Sequence, residues 1–405
     1  MLGCVLFLLI RFVWMGLIIY TSSKVVVVAI GLGEGATFYV ACAIGIITVV
    51  YSSMGGIRAV VLTDVVQALV LFFGIIVTIV IVTVKIGGFS WFPTEWASNW
   101  DTQPWVSFDP KVRTSVLGMI VSTTAWWICT AGADQMAIQR FMATRNPRAA
   151  RRAFLVNNIT TGMVTLLLGL LGFALLGFFR ANPQYLTKTM NLGENADALF
   201  PFFIVNFTGY GIAGLVIAGI LSAAMSSLAS GINSTCTVIN TDIIERYFRK
   251  DLGEKQKMGL ARSTSYFVGF AAIALSFVIA HVGGNLVEVT SKTSNLLIAP
   301  LFALFFCAMF VPFATPTGAV FGSLYGFAAA FLMAFGDLAG WPPLSWQWIT
   351  PVALLTSVTV GTLFSVVRTR ERTLQFKISL SAAYSVPLLI VAGVFITACI
   401  SQRTH

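Results

Sequence analysis

Between Ala223 and Thr235 the chain reads AAMSSLASGINST, rich in small hydroxyls and free of charge, inside the long apolar run GIAGLVIAGILSAAMSSLAS. As a helix, it places Ala223, Ser226, Ser227, Ser230 and Ser234 on one face, because they recur at intervals of three and four. Two kinds of chemistry fit. Small residues let membrane helices approach closely and their hydroxyls bond neighbouring backbone, which makes the stripe a packing face. Alternatively, two adjacent hydroxyls and a backbone carbonyl one turn earlier form part of an oxygen cage for a desolvated Na⁺, with no fixed charge to hold the ion too tightly. Transporters complete such cages near mid-membrane with the unwound stretch of another helix. Composition leaves both readings open.

Three charged positions invite the same question. Asp64, in VLTDVVQ, lies about 10 Å along its helix from Ile57, at about 1.5 Å per residue, so it is away from the water surface. An acid at that depth is a functional candidate by default. Its other reading is a partner for hydroxyl or backbone groups, or for Arg58. Lys292 has Glu288 four residues before it, the favoured orientation for a helical ion pair. Arg11 stands one turn before Trp14 in RFVWMGLIIY. Histidine and cysteine offer little: there are two histidines, His281 and His405, and six cysteines, Cys4, Cys42, Cys129, Cys236, Cys307 and Cys399, scattered singly. That pattern argues against a disulfide framework, a His- or Cys-ligated metal and His-based catalysis.

The elements that must carry these residues are membrane helices. The chain has 405 residues, 57% hydrophobic and 10% charged, with mean hydropathy +0.88; a soluble domain carries roughly 25% charged residues. Stretches of about 20 apolar residues, enough to span a bilayer, recur throughout. Eleven are expected: 5–29, 36–52, 57–85, 112–130, 152–179, 208–245, 260–282, 286–312, 316–336, 347–368 and 378–400. Unbroken runs of this length mean helices, so the chain is read as an all-α, polytopic protein whose solvent is a lipid bilayer.

The net charge of +10 does not point to nucleic acid, because its distribution is that of a membrane protein. Basic residues gather in alternate loops, at Arg140–Arg152, Arg246–Arg262 and Arg368–Lys377. The positive-inside rule makes those loops cytoplasmic. Eleven spans then put the N-terminus inside, the C-terminus outside, and the loops 88–111 and 180–207 outside. The first of these holds Trp91, Trp96, Trp100 and Trp105, as an aromatic belt or outer lid would. Met1 is followed almost at once by a span, with no signal-type lead-in, so the chain reads as though something precedes it.

Three motifs in order, YSSMGGIRAVVLTDVVQALVLFFG (51–74), GADQMAIQRFMATRNPRAARRA (132–153) and LSAAMSSLASGINSTCTVINTDI (221–243), together resemble the sodium:solute symporter family, over nearly the whole chain. The resemblance implies a LeuT-type inverted-repeat helix bundle in a single transmembrane domain, 1–405: residues 1–85 as part of a first repeat, 112–312 as the second, and 316–400 as peripheral helices. On that register core helices one and two are absent. The resemblance also implies a sodium site at Ala223, Ser226 and Ser227. Ser230 and Asp64 match a second, inner cation site found in some members, although the threonine that animal glucose carriers place before Ser230 is Ala229 here. Asp134, Gln135 and Arg140 match a gate or structural junction at the cytoplasmic end of the sixth core helix. Trp127, Thr130, Thr290, Ser291 and Arg11 fall at positions implied to face the solute. Thr130 stands where sugar carriers have an aromatic gate, and Thr290 where they have a sugar-binding glutamine; both departures argue against a sugar.

The expected function is therefore sodium-coupled symport of a small organic solute by alternating access, with Na⁺ as the coupling ion, in the plasma (inner) membrane. The chain as it stands could be inactive, for want of the helix that completes the sodium cage. One alternative is a non-transporting sensor or scaffold derived from a symporter. A remote one is a membrane-embedded hydrolase using Ser226, or Ser291 with Lys292, as a Ser–Lys pair; the lack of a GxSxG context speaks against it.

Overall fold

The computed structural model describes residues 1–33, 35–95, 102–186, 196–248, 252–279, 286–340 and 344–368. Among them every regular element is helical: α1 (Leu2–Ile30), α2 (Ala36–Ile86), α3 (Val116–Ala133), α4 (Gln135–Met142), α5 (Pro147–Ala181), α6 (Ala196–Phe207), α7 (Tyr210–Thr237), α8 (Glu254–Ile279), α9 (Leu286–Phe310), α10 (Pro316–Phe335) and α11 (Ile349–Arg368). Nine stretches of the described residues are long and apolar enough to cross a membrane, and two of them, Ala36–Met54 and Val61–Ile86, lie on α2. Large apolar side chains point outward all along these helices, Leu62, Leu69, Leu166 and Phe267 among them. That is the surface of a protein whose solvent is lipid.

The helices match the expected spans with three corrections. The segments 36–52 and 57–85 are one helix, because the backbone stays helical through Gly55-Gly56. Nothing there forces a break: no proline lies between Ala36 and Ile86, and a helical glycine costs only about 1 kcal/mol. The span 208–245 continues to Phe248 and widens into a π-helix over Val238–Phe248. The expected outer loop 180–207 contains α6, a short apolar helix with Pro201 inside it. The span 378–400, the basic residues beyond Arg368, His281, His405, Cys399, Trp96 and Trp100 lie outside the described residues.

The chain divides into two compact units. One comprises Phe12–Trp100 and Gln139–Leu286. Its core joins Met15 and Ile19 of α1, Ala41 and Val49 of α2, Leu228, Ile232 and Cys236 of α7, and Val268, Ala272 and Ile273 of α8. α2 and α8 approach so closely that a Cβ on Gly269 would lie 1.9 Å from Val49 Cγ2. A second cluster gathers Ile75 and Val82 with Leu171, Phe178 and Phe179 of α5 and Leu199 and Phe203 of α6. Trp91 closes it, its Nε1 donating to Thr83 Oγ1 at 2.9 Å.

The other unit comprises Met1–Arg11, Asp101–Ile138 and Val287–His405. Its tightest seam is α10 against α11, where a Cβ on Gly322 would meet Ser357 O at 2.4 Å and Gly361 Cα at 2.7 Å. Small residues at intervals of four on α10 (Gly318, Gly322, Gly326) make that contact. Gln347 fastens the start of α3: its Oε1 accepts from Ser115 N at 3.2 Å and its Nε2 donates to Val112 O at 3.2 Å.

Candidate functional site

The serine stripe lies on α7, and its two ends do different things. At the deeper end Ser234 is fully buried and back-bonds to Gly231 O at 3.0 Å. Gly231 itself offers a surface to Met15, whose Cγ and Sδ would lie 3.0 Å from an added Cβ. This end is a packing face. One to two turns earlier the hydroxyls leave their own helix. Ser226 Oγ donates to Asp64 Oδ1 of α2. Arg140 Nη2, from α4, donates to Ser230 Oγ at 2.8 Å and to Asp64 Oδ2 at 2.5 Å. Tyr51 Oη donates to Met225 O at 2.9 Å and ties α2 to α7 beside the group.

The contrast with other hydroxyls in the protein is informative. Ser22 and Ser23 on α1, and Thr48 and Thr78 on α2, all donate to the carbonyl four residues back, at 2.6–2.7 Å. That is the usual way for a serine or threonine in an apolar helix to satisfy its proton. Ser226 instead gives its proton to a carboxylate. Its oxygen is left as an acceptor with lone pairs for another partner. Ala223, Ser226 and Ser227 are all half-buried on the same face.

Asp134 and Arg11 form a separate group in the other unit. Asp134 is the single extended residue (φ −81°, ψ 113°) at which α3 stops and α4 starts. Its Oδ1 accepts from Met136 N at 2.9 Å, capping the new helix. Its Oδ2 meets Arg11 Nη2 in an ion pair, and each residue is only 5% exposed. The sequence puts Arg11 with the solute-facing positions and Asp134 with the gate; in the structure they are one buried pair. On α3, Trp127 packs edge to face on Trp126, ring centroids 5.1 Å apart. The buried Thr130 hydroxyl finds no hydrogen-bond partner among the described residues. Gln135 opens α4. The side chains of Glu288, Thr290 and Ser291 lie outside the described residues.

The resemblance already groups Asp64 with Ser230 as an inner cation site; what the sequence does not bring to them is Arg140. It offered Arg58 or a hydroxyl as partners for Asp64, and assigned Arg140 to a junction. The sequence separations are 76 and 162 residues for the Asp64 contacts and 123 for Arg11–Asp134. Helical periodicity carries no signal at such range.

A family model, the sodium:solute symporter family, matches residues 2–326. The chain belongs to that family. It is 27% identical to the sodium-dependent multivitamin transporter of Oryctolagus cuniculus, over 98% of this chain and 63% of that protein. It is also 27% identical to the sodium/sialic acid symporter SiaT of Proteus mirabilis, over 73% of this chain and 59% of that one. It thus spans less than two thirds of either relative. The structure of a Na⁺-coupled sialic acid symporter, substrate-bound and outward-open, superposes with TM-score 0.74 at 23% identity, over 90% of this chain and 73% of the other. The fold is therefore the LeuT-type helix bundle, and the protein is an integral, multi-pass membrane protein. These relatives are sodium-coupled transporters rather than enzymes, which sets aside the Ser–Lys hydrolase.

Proposed function

We propose that this member of the symporter family couples inward Na⁺ flow to uptake of a small organic solute by alternating access, in the plasma membrane. The Ala223 carbonyl and the Ser226 and Ser227 hydroxyls hold the ion. The observation that carries this reading is the Ser226–Asp64 hydrogen bond. A packing serine spends its proton on its own helix; Ser226 spends it on a carboxylate, which orients its lone pairs and raises their basicity, as outer partners do for ligands of metal ions. The α7 residues supply three oxygens, and a dehydrated Na⁺ needs about five, so another helix completes the cage. Sodium there joins α7 to that helix and favours the solute-ready state, and by linkage the solute tightens sodium to the same degree.

The solute contacts assigned to this reading are Trp127, Thr130, Thr290 and Ser291. An orphaned hydroxyl such as that of Thr130 costs about 1–3 kcal/mol unless something meets it, and a polar group of the solute is the natural partner. Thr130 and Thr290 in place of an aromatic gate and a glutamine favour a solute other than a sugar. Residues 1–85 serve as part of the first repeat, 112–312 as the second, and the helices after 316 as peripheral supports. The test is uptake by proteoliposomes from a panel of monocarboxylates, amino acids, vitamins and sugars under an inward Na⁺ gradient. Accumulation of one class is expected, with Ser226→Ala and Ser227→Ala each raising the half-saturating Na⁺ concentration about tenfold, the cost of roughly 1.4 kcal/mol of ion binding. Wild-type sodium dependence in both variants would leave the stripe a packing face throughout.

A further inference from the structure

The start of α5 gathers Arg145, Arg148, Arg151 and Arg152, all exposed, in a stretch with no aspartate or glutamate from Gln135 to Gly193. None of the four meets a carboxylate among the described residues, whose ion pairs are Arg11–Asp134, Arg140–Asp64 and Lys257–Glu245. The cluster does not serve the helix itself, because cations at this end oppose its dipole. Nor does it hang on a loose loop. Asn146 Oδ1 accepts from Ala149 N at 2.8 Å, and Phe154 packs on Phe141 of α4 with ring centroids 5.7 Å apart. The positive-inside rule accounts for cations at this end, but it counts charges and is indifferent to helical register. Here the register is specific: Arg148, Arg152, Leu155, Ile159 and Leu166 recur at intervals of three, four and seven, on one face.

The protein leaves that face uncovered. No residue from Pro147 to Leu170 is buried, and the buried residues of α5 begin at Leu171. Leu155, Ile159 and Leu166 are more than half exposed, and a Cβ on Gly162 or Gly169 would meet nothing within 4 Å. α5 has 35 residues, about 52 Å at about 1.5 Å per residue, against about 30 Å of hydrocarbon. Its charged first turns therefore stand at headgroup depth, with the apolar face in the acyl layer. We infer that this face is the seat of a phospholipid with an anionic headgroup. The phosphate lies among Arg148, Arg151 and Arg152, and an acyl chain runs down Leu155, Ile159 and Leu166. Arginine suits the task, because its planar fork meets phosphate oxygens in pairs. A free anion or an acidic peptide would use the arginines but not the apolar face that continues from them. A zwitterionic lipid would use the face, but its own cation offsets the attraction of its phosphate. An anionic lipid uses both, and covers the half of α5 that the protein leaves bare.

The experiment places the purified full chain in phosphatidylcholine nanodiscs. Each disc also carries a trace of phosphatidylglycerol or of phosphatidylcholine, with a photoactivatable diazirine on the acyl chain. Adducts are then mapped by peptide mass spectrometry. The phosphatidylglycerol probe is expected to label residues 155–166 at least fivefold more than the phosphatidylcholine probe, and both should label Leu324 and Phe331, exposed on α10, equally. Each arginine removed should lower the ratio about fivefold until it reaches one, at about 1 kcal/mol per basic residue near an anionic surface. Arg148→Gln/Arg151→Gln/Arg152→Gln should thus abolish the preference, while Lys255→Gln/Lys257→Gln on α8 should leave it intact. All five positions are exposed, so the fold is expected to survive, and equal labelling of α10 in every variant checks it. Equal labelling of α5 by the two probes would overturn the inference, as would a preference that survives the triple substitution. Loss of the preference in 10 mM inorganic phosphate, at constant ionic strength, would also overturn it, because the ligand would then be a free anion.

Discussion

Asp134→Asn isolates the energy of the buried pair with Arg11. Asp134 performs two tasks, meeting the guanidinium through Oδ2 and capping α4 through Oδ1, which accepts from Met136 N at 2.9 Å. Asparagine keeps an oxygen for the cap and gives up the charge. With both residues 5% exposed, water cannot replace the lost counter-ion. Removing one partner of a buried pair costs about 3–5 kcal/mol, while losing a cap costs about 1 kcal/mol. The expected loss is therefore about 3–5 kcal/mol for Asp134→Asn and about 1 kcal/mol more for Asp134→Ala. Arg11→Met/Asp134→Asn should recover most of it, because both charges of the pair are then removed together. Equilibrium unfolding in mixed micelles, run as a double-mutant cycle, measures the coupling directly. A loss below about 0.5 kcal/mol for Asp134→Asn, the size of an ordinary surface substitution, would refute the claim that the two charges are buried together away from water.

Two further expectations follow from packing and from topology. Gly322→Ala should destabilise the α10–α11 seam by about 1–3 kcal/mol, because its Cβ meets backbone of α11 at 2.4–2.8 Å; Gly172→Ala on α5, with nothing within 4 Å, should cost nothing, and equal losses would mean the seam is loose. A membrane-impermeant thiol reagent should label Arg148→Cys from the cytoplasm and Trp105→Cys from outside, the polarity set by the basic loops; labelling of Arg148→Cys from outside would reverse the orientation.

Much of the helical architecture was legible because hydropathy over twenty residues is a strong signal, and the ends of α1, α5, α9, α10 and α11 fall within a few residues of the expected spans. The misses share a cause: local energies too small to be decisive. Gly55-Gly56 looks like a turn, yet its cost is modest against a helix continued on both sides. α6 was hidden because its 12 residues contain Pro201 and cannot span a bilayer; it forms because Leu199 and Phe203 bury against α5, a tertiary effect. The same holds at the site. The stripe was visible from its spacing, but only contacts between helices separate Ser226 and Ser230, which turn to Asp64 and Arg140, from Ser234, which packs.

The central claim is that the hydroxyl face of α7 binds sodium, and ion-specific stabilisation tests it most directly. A ligand that binds only the folded state at a hundred times its Kd adds about 2.7 kcal/mol of stability. Unfolding of the purified protein should therefore require more heat or denaturant in Na⁺ than in equal concentrations of K⁺ or choline, and Ser226→Ala/Ser227→Ala should abolish that difference while keeping the fold. Equal stability in Na⁺ and K⁺, or a sodium effect that survives the double substitution, would contradict it.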